Sequence, residues 1–226
     1  PFETRKRSGV PQEMLNAGDL ARYPVHQFRP VQEHAQRVWR SLNKISGQIR
    51  RWAEDIYFSC VPQRAMVLYR FIRKAYQYGA KVTSMLGDED VMAAYRLSRS
   101  VGNETHFMEE FLRFSEYNGI LVAVIHPKTI VLPRIAHHFS DRFPEETFLI
   151  HDQPHEMALF YHPYQMEIYH LSELELPPVT SQEAWIQSLW KGYYTATGIQ
   201  GRLNPKCRMT HMPKRFWKQV LELEQP

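Results

Sequence analysis

His106 and Glu110 stand four residues apart, with Arg113 three further on, inside the segment Glu104-Thr-His-Phe-Met-Glu-Glu-Phe-Leu-Arg-Phe-Ser-Glu116. On a helix this spacing sets an imidazole, a carboxylate and a guanidinium on one stripe. Such a set can move a proton, hold a cation or bind an anion. Phe107, Phe111 and Phe114 repeat the spacing one residue later, and this second stripe reads as core. His106, Glu110 and His138 are therefore the candidates for acid, base or ligand, although nothing in the sequence names a reaction.

Each chemistry has a competing plain reading. Eleven histidines invite a metal site built on His106 and Glu110, with His137-His138 and His211 adding ligands. Adjacent histidines on a helix point about 100° apart, however, so only one of that pair can join a given site. No HExxH, CxxC or acidic cluster completes a set, so we expect structural histidines, no metal and no cofactor. Cys207 and His211 are also four apart, with Arg208 alongside. Pro205 and Pro213 bracket them and argue against continuous helix, which favours a plain thiol beside a surface histidine. There is no GxSxG elbow, phosphate loop or dinucleotide fingerprint.

Guanidinium and aromatic groups make the better constellation. Arg113, Arg142, Arg202, Arg208, Lys214 and Arg215 are interleaved with Phe114, Phe139, Phe143, Phe216 and Trp217. Arginine binds phosphate bidentately, and aromatic rings stack on unpaired bases for roughly 1–3 kcal/mol each. Arg113, Arg142, Arg208, Lys214 and Arg215 are the expected nucleic-acid contacts. The alternative is that acids such as Glu110, Glu116 and Asp141 pair with these arginines inside the fold. Charge is segregated in the same sense: residues 1–87 hold 15 Lys/Arg against 6 Asp/Glu, and residues 88–180 hold 6 against 15. Residues 181–226 hold 7 against 3. Basic ends can meet a polyanion or neutralise the acidic middle.

The elements that must carry these residues follow from periodicity. With 226 residues, 43% of them hydrophobic, the chain can bury a substantial core. No apolar run or signal segment is long enough for a membrane span, and two cysteines suit a reducing cytosol, so a cytoplasmic protein is expected. The first residue is Pro rather than Met, so the numbering is expected to start inside a longer product. Residues 1–30 read as an irregular arm containing the basic triplet Arg5-Lys6-Arg7. Helices are expected from Val31 to Ile45, from Ile49 to Phe58 and after Pro62 as far as Gly79. A long central helix opens at Asp88, with a weak point at Gly102-Asn103. Tyr117-Asn118-Gly119 reads as its C-cap. Strands are expected at Ile120–Ile125, Thr129–Leu132, Phe148–Asp152, Met157–Tyr161 and Met166–Leu171, with a short helix from Pro133 to Arg142. Short turns make that sheet antiparallel. A linker around Pro177-Pro178 leads to a helix from Ser181 to about Tyr194, and another begins at Pro213. The expected fold is α+β in a single domain over residues 31–226: helical over 31–117, a small antiparallel sheet over 119–171, helical over 180–221.

Several short motifs occur in order: Ala35-Gln-Arg-Val-Trp39, Val101-Gly-Asn-Glu-Thr-His106, Phe111-Leu-Arg-Phe-Ser-Glu116, Val131-Leu-Pro133, His138-Phe-Ser-Asp-Arg-Phe143, Phe148-Leu-Ile-His-Asp152 and Asn204-Pro205 before His211-Met-Pro-Lys-Arg-Phe-Trp217. Together they resemble a bacterial family of domains of unknown function labelled "probable DNA metabolism protein". Genes of that family sit beside a radical-SAM protein labelled a DNA modification or repair enzyme, and in some proteins the domain is fused to a uracil-DNA glycosylase. The resemblance implies a role with DNA and a radical-SAM partner, and it supplies no catalytic residues. Two positions depart from the family pattern: Phe107 and Gln153-Pro-His155 stand where arginines are usual. The expectation is a nucleic-acid-binding accessory protein of DNA repair or modification. A DNA-processing enzyme and a purely protein-binding adaptor are the alternatives.

Overall fold

The computed structural model describes residues 31–202 and 204–223. The arm expected over residues 1–30 lies outside them. The chain divides into two units, residues 1–40 and 41–226. The described part of the first is residues 31–40, where helix α1 (Gln32–Ile45) begins and Arg40 Nη2 donates to Gln36 Oε1 at 3.4 Å. All else here concerns the second unit.

Three helices form its first layer: α2 (Gly47–Phe58), α3 (Arg64–Tyr78) and α4 (Glu89–Phe111). Ser46 caps α2 by accepting from Gln48 N–H, and Gly79, at φ +63°, ends α3. Trp52 stacks on Phe71 at 5.6 Å and meets Tyr95 at 5.5 Å, among the fully buried Ile49, Ala53, Ile56, Ala75, Val91 and Ala94. Helix α4 runs unbroken through Gly102-Asn103. A mid-helix glycine costs about 1 kcal/mol. Burying Val101 and Met108 contributes roughly 1.5–3 kcal/mol each, so burial wins.

Asp88 caps α4, its Oδ1 accepting from the N–H groups of Asp90 (3.0 Å) and Val91 (3.2 Å). Its other oxygen takes Lys74 Nζ, which also lies 3.1 Å from Asp90 Oδ2. The Lys74 bond, then the amide of Val91, hold the Asp88 carboxyl below the usual carboxylate range. A depressed folded-state value stabilises the protein above the unfolded value and loses that contribution as pH falls through the folded one. Asp88→Asn keeps the cap and removes the charge. We expect it to melt at lower temperature than the parent near neutral pH, with the gap closing as pH drops well below about 3.9. Thermal melts across pH check this, and a constant gap contradicts it.

The sheet corrects three expectations. Helix α4 stops at Phe111, with Leu112 as its cap, and Ser115–Tyr117 forms an additional strand, β1. Asn118-Gly119 is then the two-residue turn of a hairpin into β2 (Ile120–Ile125), not a helix cap. Both turn residues have positive φ, 52° and 83°, the backbone that a two-residue hairpin requires and that Asn and Gly tolerate. Thr129–Leu132 is not a strand: residues 129–131 lead into helix α5 (Leu132–Arg142), which has Pro133 in its first turn. β2 and β3 (Phe148–Asp152) pair in parallel, with Leu121 opposite Phe148 and Ile125 opposite Asp152. The sheet is therefore mixed, because α5 supplies the crossover that parallel neighbours need. β4 (Met157–His162) and β5 (Gln165–His170) continue antiparallel, giving the order β1-β2-β3-β4-β5.

Helices α4 and α5 pack over this sheet. Phe148, Ile150, Ile125, Leu132 and Ile135 are essentially buried, and Phe148 stacks on Tyr161 at 4.7 Å. The chain ends in α6 (Ser181–Thr197), capped by Thr180, then α7 (Pro205–His211) and a 3₁₀ turn over Lys214–Gln219 where a helix from Pro213 was expected. Helices, a central sheet and closing helices make the fold α+β. No helix among the described residues is long and apolar enough to cross a membrane.

Candidate ligand-binding cleft

Two helix ends meet the start of a third to make an open cleft of about 720 Å³. Helix α4 contributes Glu109 and Glu110, and the residues after it Leu112, Arg113 and Phe114. Helix α5 contributes His138, Phe139 and Arg142, followed by Phe143. Helix α6 contributes Glu183, Ile186, Gln187 and Trp190.

Each side chain is held for a local reason. Arg113 lies one residue beyond the helix cap, so it is not the third member of an α-helical stripe. Its Nη1 instead donates to the carbonyls of Glu110 (3.0 Å) and Leu112 (3.2 Å) at the negative end of α4. His138 and Arg142 are four apart on α5 and share a face. The His138 ring stands edge-on to Phe139, and the Arg142 guanidinium lies 5.7 Å from the Phe143 ring centre. Among the described residues Arg142 pairs with no carboxylate. Phe114 leaves the helix yet remains core, meeting Phe139, Phe143 and Phe148 at 5.5–5.6 Å. Phe107 and Phe111 stack on each other and pack on Phe216.

Helix α6 is moored by Gln187, whose Nε2 donates to Glu183 Oε1 (2.8 Å) and to Ser115 Oγ on β1 (3.1 Å). That mooring sets Ile186 and Trp190 on the cleft. Glu109, Glu183, Gln187 and Trp190 were not singled out from the sequence. Their only signal there is an aromatic-rich helix, and nothing in sequence spacing ties residue 187 to residue 115.

The remaining expected site residues lie outside the lining. His106 Nε2 meets Glu110 Oε1 at 3.0 Å, so it reaches the rim through that carboxylate. Arg215 gives both terminal nitrogens to the buried carboxylate of Glu104, Nη1 to Oε1 at 2.6 Å, and lies 4.1 Å over the Phe216 ring. Glu104 Oε1 also accepts from Lys128 N–H at 2.9 Å. Arg215 is thus committed to Glu104, with 32% of its side chain still exposed. Lys214 lies over Trp217 at 5.8 Å, and Arg208 is half-buried on α7. Cys207 and His211 do share one helix despite the flanking prolines, because Pro205 occupies its first turn. No group of three or more His, Cys, Asp or Glu among the described residues has the arrangement of a metal site.

The fold and cleft define an α+β protein with a compact site of mixed charge and aromatic surface. The family described as "Domain of unknown function (DUF4130)" matches residues 62–222, and the chain belongs to that family. No curated protein and no solved structure matches it.

Proposed function

We propose that the protein binds nucleic acid as an accessory factor of DNA repair or modification, holding an unpaired nucleotide in the cleft. The observation that carries this reading is the convergence of Arg113, His138, Arg142 and Trp190 on one opening. A cleft of this size suits one compact ligand rather than a duplex. Arg142 takes the phosphate, Trp190 stacks the base, and Glu109 or Glu110 accepts from an exocyclic amine. Carboxylates at the same opening disfavour a continuous phosphate track and favour a single nucleotide turned inward. A radical-SAM partner is supported by the resemblance of the sequence motifs.

The test is fluorescence anisotropy with single-stranded and duplex oligonucleotides. We expect tighter binding to the single strand, affinity falling linearly with salt on logarithmic axes, and about tenfold losses for Arg142→Ala and for Trp190→Ala. Affinity indifferent to salt and to both substitutions overturns the reading.

A second reading, a protein-docking adaptor, is favoured by one observation. Trp185, Leu189 and Tyr193 repeat every four residues along α6 and are more than half exposed. Co-purification with a partner protein that persists without nucleic acid, and is lost on Trp185→Ala, is its signature.

A further inference from the structure

The other cysteine, Cys60, has a setting that spacing along the chain does not reveal. Cys60 follows Ser59, the C-cap of α2, and its Sγ lies 3.2 Å from Nε2 of His155, which is 95 residues away. Nδ1 of the same ring lies 2.7 and 2.9 Å from the two oxygens of Asp152, a fully buried carboxylate at the end of β3. Because a carboxylate only accepts, Nδ1 carries the ring proton and Nε2 presents its lone pair to the thiol. The competing acceptor for the thiol proton, the Phe58 carbonyl, is 3.9 Å away and loses on distance. We propose that Cys60, His155 and Asp152 form a nucleophilic site for acyl transfer, taking an ester or thioester as substrate.

Two features favour that chemistry over a structural contact. The thiol is exposed while the carboxylate that orients the imidazole is buried, so the reacting atom faces solvent and its support does not. Both sides are fixed: Arg64 Nη1 clamps the Ser59 carbonyl at 2.7 Å, Ile130 N–H holds that of Phe58, and His126 holds Gln153 at 2.6 Å in the turn that carries His155. An oriented imidazole is needed where a proton must be taken and then returned to a leaving group, as in acyl transfer.

The step balances without any oxidant. Nε2 takes the Sγ proton, and the thiolate attacks the carbonyl carbon to form an S–C bond. The tetrahedral oxyanion collapses, and the C–O bond (C–S in a thioester) breaks toward the leaving group, which takes the proton from Nε2. Water then gives a proton to Nε2 and adds to the thioester; the S–C bond breaks, and the sulfur recovers the proton.

The test uses p-nitrophenyl acetate, with Cys207 as control within the same chain. Cys207 is exposed and also four residues from a histidine, but on a short helix without this carboxylate. We expect a burst of about one equivalent of p-nitrophenolate and an acetyl group on the peptide carrying Cys60 rather than the one carrying Cys207. Cys60→Ser abolishes the burst, Cys207→Ser leaves it unchanged, and His155→Gln and Asp152→Asn each slow it about 100-fold. Equal acetylation of the two cysteines in the parent protein overturns the proposal without needing any variant to fold. A burst unaffected by His155→Gln overturns it as well.

Discussion

Arg215→Ala is expected to remove about 3–5 kcal/mol of stability, because it leaves the Glu104 carboxylate buried without its cation. Glu104 is 4% exposed and sits on the inner face of α4, while its partner arrives from the end of the chain. Two charge-assisted bonds, a third from Lys128 N–H and the cover of Phe216 compensate the carboxylate's desolvation. Without Arg215 only the amide bond remains. For a chain of this length the loss corresponds to a fall in Tm on the order of 10 °C. Adding Glu104→Gln removes the stranded charge and is expected to recover about 1 kcal/mol or more. Oligonucleotide affinity, measured below the melting transition, stays within about twofold of the parent, because Arg215 does not line the cleft. A variant that keeps its Tm and loses affinity returns Arg215 to the nucleic-acid surface.

That residue shows how far the sequence was legible. Composition and spacing identify Arg215 as a basic residue beside aromatics but not which of two partners it takes, since its acid is 111 residues away. Features set by near neighbours read well: the N-cap at Asp88, the stop at Gly79, the helix around Pro133 and the apolar strands. Asn118-Gly119 was legible but ambiguous. Asn and Gly serve a helix cap and a hairpin turn through the same positive φ, and only pairing of Tyr117 with Ile120 decides between them. The parallel pairing of β2 and β3 follows from the helix between them, which the sequence does show; the short turns around β4 and β5 suggested antiparallel pairing, and that reading does not extend across a helical crossover. Half of the cleft was visible as the His138 and Arg142 face of α5 and the end of α4. The other half, on α6, depends on the bond between Gln187 and Ser115. Cys60 and His155 illustrate the same limit: a search for ligands four apart finds Cys207 and His211 and misses a pair joined only by the fold.

The second large effect is expected at Arg134, and it depends on pH. Arg134 rises from α5 to the carboxylate of Asp55, which is 2% exposed on the inner face of α2 and also accepts from Ser98 Oγ at 2.7 Å. Burial pushes the Asp55 carboxyl above its ordinary value; Ser98 and Arg134, and more weakly Arg51, oppose that rise. Glu54 lies 3.9 Å from Arg134 and is itself bonded to Arg50 at 2.8 Å, so Asp55 is the closer anionic partner of Arg134. Arg134→Met keeps the apolar stem and removes the charge. The variant is expected to lose about 3–5 kcal/mol near neutral pH, where Asp55 is then an uncompensated buried anion. An acid whose folded-state value is raised binds more protons folded than unfolded. Stability therefore rises as pH falls through the folded value and levels off below the unfolded one. The deficit of Arg134→Met against the parent should accordingly shrink steadily as the solution is acidified, since protonation of Asp55 removes the charge that Arg134 had balanced. Denaturant titrations of both proteins across pH measure this directly. A deficit independent of pH assigns the role of Arg134 to packing between α2 and α5 rather than to the ion pair.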